Sequence, residues 1–277
     1  MTLSERNLVF KLGIALSFLC LLICTIISIK VFPVYAGMET EITRRSEGIL
    51  RAFIGKFFNA KLSAVHCCIL ASVLYSFFSI TLIYYFFEKT QSPEILYVVF
   101  FAVSFSFEAL RLILPLSRVY ELPSLYQLTA SRIILFCRYF GIFSLFTAGV
   151  FASGLKAQKQ RSIIMVITVT TLIITLGVPI DTQAWDSSLN MINGYTSMFR
   201  LIEAGTFLIT TINFFIAAWS RSSHEFVFIG AGSVLAFLGR NILLSTDTWA
   251  GLPIGLLFLV AGTWLICTRL HKVYLWL

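Results

Sequence analysis

Charged residues are scarce in this sequence. Asp, Glu, Lys and Arg supply 12% of the 277 residues, whereas 58% are hydrophobic and the mean hydropathy is +0.89. A soluble domain carries about 25% charged residues, so this chain has too few to cover a surface that faces water. The composition predicts an integral membrane protein surrounded by the lipid bilayer, with no nucleic-acid partner.

Motifs that hold metals or perform catalysis are also missing. The six cysteines fall in apolar stretches, and the three histidines make no HExxH or HxxxH pair. A zinc site needs a close group of Cys, His or carboxylate ligands, and the sequence offers none. It also lacks a GxxxxGK[ST] phosphate loop and GxSG or aspartate-rich motifs. We therefore expect no metal, no cofactor and no enzymatic activity.

Proline is absent from the interiors of the long apolar stretches. Proline removes a backbone donor and disfavours helix in the preceding residue, so the six prolines mark helix boundaries. The stretches are about 20 residues long, the length that crosses a bilayer as a helix. The sequence predicts an all-α integral membrane protein, a polytopic bundle of about eight transmembrane helices, at residues 8–29, 63–87, 95–114, 131–154, 162–180, 199–219, 225–244 and 250–268.

Small residues recur along three of these helices. Glycine and alanine let neighbouring helices approach closely, so we expect them at helix contacts within the chain. The small residues are Gly141, Ala148, Gly149 and Ala152 in the fourth helix, Gly230, Gly232 and Ala236 in the seventh, and Gly251 and Gly255 in the last.

Lysine and arginine are unevenly distributed between the loops. The loop at residues 156–161 and the residues after the last helix are basic, whereas the opposite side carries aspartates. Cytoplasmic loops of membrane proteins are enriched in Lys and Arg. The pattern predicts a multi-pass protein of the cell (inner) membrane with a cytoplasmic C-terminus and, for eight helices, a cytoplasmic N-terminus.

Residues 1–30 have two interpretations. They form either a signal anchor, retained as the first transmembrane helix, or a signal peptide cleaved near Ala36. The apolar run is long and Lys30 interrupts the approach to that site, which favours the anchor. Cleavage would leave seven helices with the N-terminus outside.

Residues 31–62 are basic, yet they fall on the extracytoplasmic side in this topology. They fit either an amphipathic helix on the membrane surface or an extension of the second span with a snorkelling basic end. Residues 63–277 then form a seven-helix bundle. The apolar face of the basic segment comprises Ile42, Ile49, Leu50, Phe53, Ile54, Phe57 and Phe58.

Ionisable residues interrupt the predicted helices at a similar depth. At a rise of 1.5 Å per residue they lie in the outer half of the bundle, with Glu108 and Arg138 deepest at ~10 Å. Arginine suits a carboxylate or phosphate ligand, but together with nearby aspartates the charges can also neutralise one another as a structural network. The candidate ligand-binding residues are Glu108, Arg111, Arg138, Arg200, Glu203 and Arg240.

The predicted layout is similar to that of bacterial seven-helix sensor modules, in which a signal anchor precedes seven helices. That similarity of layout implies a receptor or sensor, and the arginines predict a small anionic ligand on the outer side. No loop between the helices is long enough for a kinase or cyclase domain, so we expect a protein partner on the cytoplasmic side. The alternatives are a transporter or permease subunit and a structural membrane assembly protein.

Overall fold

The computed structural model describes residues 2–43, 61–90 and 92–275. Within these ranges, eight helices are long and apolar enough to cross a membrane, which confirms the predicted all-α polytopic bundle. The helices are α1 (Leu3–Thr43), α2 (Leu62–Phe87), α3 (Pro93–Ser104), a 3-10 segment (Phe105–Leu112), α4 (Ile113–Val119), α5 (Ser124–Ala152), a 3-10 turn (Ala157–Lys159), α6 (Gln160–Gly177), α7 (Thr196–Ser220), α8 (Glu225–Ser245) and α9 (Gly251–Leu275).

A small antiparallel hairpin lies between α6 and α7. Its strands are β1 (Ile180–Trp185) and β2 (Met191–Asn193), in a region for which the sequence predicted the end of one helix and a loop. This hairpin marks one end of the bundle, which we name the hairpin end. The start of α1 and the end of α9 lie at the opposite end, which we name the terminal end. The cytoplasmic location of the terminal end stays a prediction.

The first helix continues beyond the predicted signal anchor. Residues 3–30 form its candidate membrane span, but α1 runs without interruption to Thr43. Residues 44–60, which hold most of the predicted amphipathic face, lie outside the described residues. The division at residue 30 and the two interpretations of the basic segment therefore stay predictions.

The third span is the most enclosed part of the bundle. It comprises α3, the 3-10 segment and α4, and 78% of its most apolar stretch is buried, against 17% for the first span. It packs against α1, α2 and α5, and Tyr97, Phe101 and Phe105 are in its buried face. This span therefore occupies the centre of the bundle, where the lipid does not reach.

The 3-10 segment aligns its side chains in rows and places one row with two charged residues in the core. The segment is eight residues long, whereas 3-10 runs longer than about three or four residues are uncommon. Side chains three apart eclipse in this geometry, so Phe105, Glu108 and Arg111 form one buried row. Residues 107, 110 and 113 form a partly exposed row. The sequence prediction of a regular helix over residues 95–114 did not include this interruption.

A second buried carboxylate closes the terminal end of the third span. Glu94 is 1% exposed and lies in the first turn of α3. Its Oε2 accepts hydrogen bonds from Ser92 Oγ at 2.9 Å and from the Tyr274 hydroxyl at 2.6 Å. Arg221 Nη2 lies 3.8 Å from Glu94 Oε1. These contacts join the third span to α9 and to the loop between α7 and α8.

Glycines allow α8 and α9 to pack with their backbones in contact. A Cβ at Gly262 would lie 2.6 Å from Gly232 O, and a Cβ at Gly239 would lie 2.7 Å from Gly255 O. On each helix the two glycines are seven residues apart, which keeps them on one face. Gly232 and Gly255, predicted from the sequence as packing residues, thus lie within this contact.

We predict that Gly239→Ala lowers the thermal midpoint of the purified protein. The added methyl group would overlap the backbone of Leu259 and Gly255, and overpacking of this kind costs about 1–3 kcal/mol. Gly205→Ala in α7 is the matched control, because nothing lies within 4 Å of its Cβ position. Thermal unfolding of both variants in detergent makes the comparison. Equal midpoints would show that the α8–α9 contact tolerates the extra volume.

Candidate functional site

Glu108 is the centre of a buried ionic cluster towards the hairpin end. Its Oε1 accepts a hydrogen bond from Arg138 Nε at 2.7 Å, and its Oε2 accepts one from Arg138 Nη2 at 2.6 Å. Arg111 Nη1 donates to the same Oε2 at 3.4 Å. A bidentate arginine–carboxylate pair is among the strongest side-chain contacts in proteins. The two deepest residues of the predicted site therefore contact each other directly.

Two elements bring these side chains together. Glu108 and Arg111 share the buried row of the 3-10 segment, and their side chains are 2% and 1% exposed. Arg138 reaches them from α5, and its side chain is 17% exposed. α5 packs closely on the third span because Gly141, one turn from Arg138, faces Ser104. The surroundings are apolar, so water is not available to hydrogen-bond these charged groups. Their contacts with one another must therefore offset the cost of burying them.

Arg240 extends the cluster to α7 and α8. Its Nη2 donates to the Arg138 carbonyl oxygen at 3.4 Å and lies 3.9 Å from Glu203 Oε1, while its Nη1 donates to Asn241 Oδ1 at 2.9 Å. The Arg240 side chain is 3% exposed and that of Glu203 is 26% exposed. The longer separation and the wetter carboxylate make this pair weaker than the one at Glu108.

The hairpin covers the cluster and supplies oxygen acceptors to it. Arg138 Nη2 donates to Asn190 Oδ1 at 2.8 Å, and Arg111 Nη2 donates to the Ser188 carbonyl oxygen. Asn190 Nδ2 in turn donates to Ser188 Oγ at 2.9 Å. Buried Arg111 and partly buried Arg138 therefore each donate to a neutral oxygen from the loop between β1 and β2.

The loop of the hairpin is held in a specific conformation. Asp186 N donates to Asn190 O at 2.8 Å, and Leu189 N donates to Asp186 O at 3.0 Å. Leu189 has φ of 55°, a left-handed conformation that is unfavourable for a residue other than glycine. Its side chain is 5% exposed and packs in an apolar cluster with Val73 and Leu112. This packing stabilises the strained turn directly above the ionic cluster.

The hairpin is also attached to the loop between α8 and α9. Ser187 Oγ donates to Asp247 Oδ2 at 2.8 Å, and the Asp247 carbonyl oxygen accepts a hydrogen bond from Lys61 N at 2.8 Å. Both contacts involve exposed polar groups or backbone at the bundle surface. The hairpin is thus held from below by buried arginines and from the side by a solvent-exposed contact.

A small cavity separates the hairpin from α5. Its volume is about 20 Å³, enough for one water molecule. The polar part of its lining comes from Ser131, Arg138, Asn190 and Asn193. In this closed arrangement the cavity is too small for a metabolite, so a larger ligand would have to displace the hairpin loop.

The structure gathers five of the six predicted site residues and leaves one apart. Glu108, Arg111 and Arg138 form the core of the cluster, with Arg240 and Glu203 beside it. Arg200 lies in the first turns of α7 with an exposed side chain, and it forms no ion pair with another described residue. Depth alone placed it in the predicted site, but its helical face points away from the bundle.

The sequence reasoning did not identify Ser188 and Asn190 as parts of the site. Both lie in a short polar loop, where serine and asparagine are common for reasons of turn formation. In the sequence analysis, the aspartates of this region serve for the membrane orientation and for charge balance at the rim, and not as parts of the site. A signal that could have pointed to the loop is the excess of buried cations, which require acceptors beyond Glu108 and Glu203.

The fold and the cluster define a polytopic helical membrane protein with a hairpin-capped ionic site. No family model matches the chain. The chain is similar to an "Uncharacterized protein" of Treponema pallidum (strain Nichols), with 28% identity over 89 residues. The matched part is 32% of this chain and 26% of that protein, so the similarity spans about a quarter of the relative's length.

We predict direct energetic coupling between Glu108 and Arg138. Glu108→Gln leaves buried cations without their carboxylate, and breaking a buried pair in this way costs about 3–5 kcal/mol. Because Arg138→Gln removes one of those cations, the double variant should be less destabilised than the sum of the single variants, by about 1 kcal/mol or more. Thermal unfolding of the three variants in detergent gives the cycle.

The matched control for this cycle is Arg200→Gln. The Arg200 side chain is exposed, and substitutions at such positions change stability by only about 0.5 kcal/mol. Strict additivity of Glu108→Gln and Arg138→Gln would contradict the direct pairing.

Proposed function

We propose that this protein is a receptor-type membrane module that binds a small anion at its hairpin end and acts through a protein partner at its terminal end. The observation that carries the proposal is the pairing of buried Arg111 and partly buried Arg138 with neutral oxygens of a surface hairpin. Those oxygens occupy the positions that the oxygens of an anionic ligand would take.

Charge supports an anion as the ligand. Arg111, Arg138 and Arg240 face Glu108 and Glu203, so these five residues carry one positive charge in excess. A guanidinium attracts a carboxylate or phosphate by opposite charge, an attraction that a neutral amide or carbonyl oxygen does not supply. A carboxylate or phosphate that replaced Asn190 and Ser188 at the arginines would therefore gain electrostatic energy as the hairpin loop moves away.

The third span supplies a route to the other end of the bundle. Its 3-10 segment carries Glu108 and Arg111, while Glu94 at its opposite end contacts α9 and Arg221. The rise per residue is about 2.0 Å in a 3-10 helix and 1.5 Å in an α-helix. Conversion of the eight-residue segment to α-helix would shorten the span by about 4 Å. Release of Arg111 by the hairpin favours such a conversion, and the contacts of Glu94 would transmit it.

The proposal assigns binding and no catalysis to the site. Glu108 is held by two arginines and is 2% exposed, so its carboxylate is out of reach of a substrate. Efficient general acid–base catalysis requires a group that can exchange a proton near the working pH and contact the substrate. We therefore propose that the protein is not an enzyme.

A structural assembly protein is the second candidate. It is favoured by the hydrogen bonds that Glu108 already accepts on both carboxylate oxygens and by the cavity of only about 20 Å³.

A transporter or permease subunit is supported by one observation, the 3-10 interruption of the third span, since transporter sites form at broken helices. Between Glu108 and Glu94, however, the large buried side chains of the span are Tyr97, Phe101 and Phe105. Ser104 and Ser106 are the small polar groups between them, and the described part of this stretch carries no buried charge.

We predict that Asn190→Ala increases the affinity for a small anion, because it removes the hairpin oxygen that competes for Arg138. Thermal midpoints in detergent are measured against acetate, succinate and phosphate, each compared with chloride at equal ionic strength. An anion that binds the folded state stabilises it by ~2.7 kcal/mol at a hundredfold excess over its dissociation constant. The concentration needed for a given rise should fall in Asn190→Ala and the rise should vanish in Arg138→Gln.

The control for nonspecific charge effects is Arg200→Gln, which should respond to each anion as the wild type does. A midpoint raised equally in Arg138→Gln and wild type would contradict a site at the cluster. If no anion stabilises the wild type and Asn190→Ala is merely less stable, the structural candidate replaces the receptor.

A further inference from the structure

An apolar groove runs along the membrane face of the bundle between α2 and α9. Its volume is about 240 Å³, far larger than the cavity beneath the hairpin. It lies in the half of the bundle nearest the terminal end and does not include any residue of the ionic cluster. The groove is lined mainly by Leu82, Ile83, Phe86, Val260 and Trp264, with Thr268 and His271 towards the terminal end.

The groove has the length of one lipid chain in one leaflet. From Val260 to His271 it follows α9 for about 16 Å at 1.5 Å per residue. The hydrocarbon core of a bilayer is about 30 Å thick, so one leaflet contributes about 15 Å. A groove that begins near the middle of the span and ends at its terminal side therefore matches the depth of a single acyl chain.

A polar group lies where the head of such a lipid would be. His271 packs its ring against Phe87, with ring centroids 5.4 Å apart, and its Nδ1 is buried without a hydrogen-bond partner in the described part of the chain. The imidazole also lines the groove, so it can offer a hydrogen bond to a group that enters at this end. Exposed Lys89 follows two residues after the end of α2 and adds positive charge at this end of the groove.

Charges of both signs flank this end of the groove, because exposed Glu88 directly precedes Lys89. The last carbonyl oxygens of α2 would repel a phosphate, but Arg6 of α1 donates to Phe87 O at 2.7 Å and to Glu88 O at 3.3 Å. Glu225 is paired with Arg269 at 2.9 Å and with Lys272 at 2.6 Å. His271, which lines the groove, and nearby Lys89 are the groups that can donate to a lipid phosphate at this end.

We propose that this groove binds one phospholipid, with an acyl chain between α2 and α9 and the phosphate hydrogen-bonded to His271. A lipid on a flat apolar face exchanges readily with the lipids around it. The proposed lipid instead fills a concave site that has a polar group at one end. The site is distant from the hairpin, so the proposal does not depend on the proposed anion receptor.

The test is native mass spectrometry of the full chain in detergent with added phosphatidylglycerol. The wild type should retain one lipid at activation energies that strip the others. Val260→Trp should lose this lipid because the indole fills the groove. Val169→Trp on α6 is the matched control. Val169 and Val260 are 46% and 47% exposed, but of the two only Val260 lines the groove.

A second variant, His271→Phe, tests the head-group contact without filling the groove. Loss of a hydrogen bond to a charged group should weaken phosphatidylglycerol binding by about tenfold, while thermal unfolding without lipid verifies that each variant is folded. Equal lipid retention in Val260→Trp and Val169→Trp, or unchanged affinity in His271→Phe, would overturn the proposal.

Discussion

A guanidinium group buried in an apolar bundle must find its acceptors inside the protein. Insertion of an arginine at the centre of a span costs at least about 2.5–3.5 kcal/mol, and the cost is offset only by well-placed partners. Here Arg111 and Arg138 share Glu108 and take further oxygens from the hairpin. The hairpin lies over the cluster because it supplies these oxygens. Gly141 lets α5 come close to the third span, and the apolar packing of Leu189 stabilises the strained turn.

The same requirement explains the unusual third span. An α-helix separates residues three apart by about 60° around its axis, whereas a 3-10 helix eclipses them. Eclipsing lets Glu108 and Arg111 enter the core together beside Phe105. The hydrogen-bond geometry of a 3-10 helix is less favourable than that of an α-helix. The segment at the depth of the charges therefore has an α-helical conformation as an alternative. At its other end, Glu94 connects the span to the last helix, and this makes the third span a physical link between the two ends.

Much of this architecture could be predicted from the sequence because long apolar runs and their proline boundaries are direct consequences of bilayer thickness. The depth of Glu108 and Arg138 followed from the helical rise, and their contact agrees with it. Depth does not fix rotation about the helix axis, which is why Arg200 was predicted in the site but lies exposed. The hairpin and the 3-10 segment have no hydrophobic period of their own. They arise from tertiary contacts with buried arginines, which a sequence read in isolation does not contain.

The central claim is that the buried arginines hold the hairpin closed. Hydrogen–deuterium exchange of the loop at residues 186–193 tests it directly in wild type and Arg138→Gln. If Arg138 anchors Asn190, the amides of Asp186 and Leu189 should exchange about tenfold faster in the variant, which corresponds to about 1.4 kcal/mol of lost local stability. Equal exchange of the hairpin in both proteins would contradict the claim and assign its closure to Asp247 and Leu189 instead.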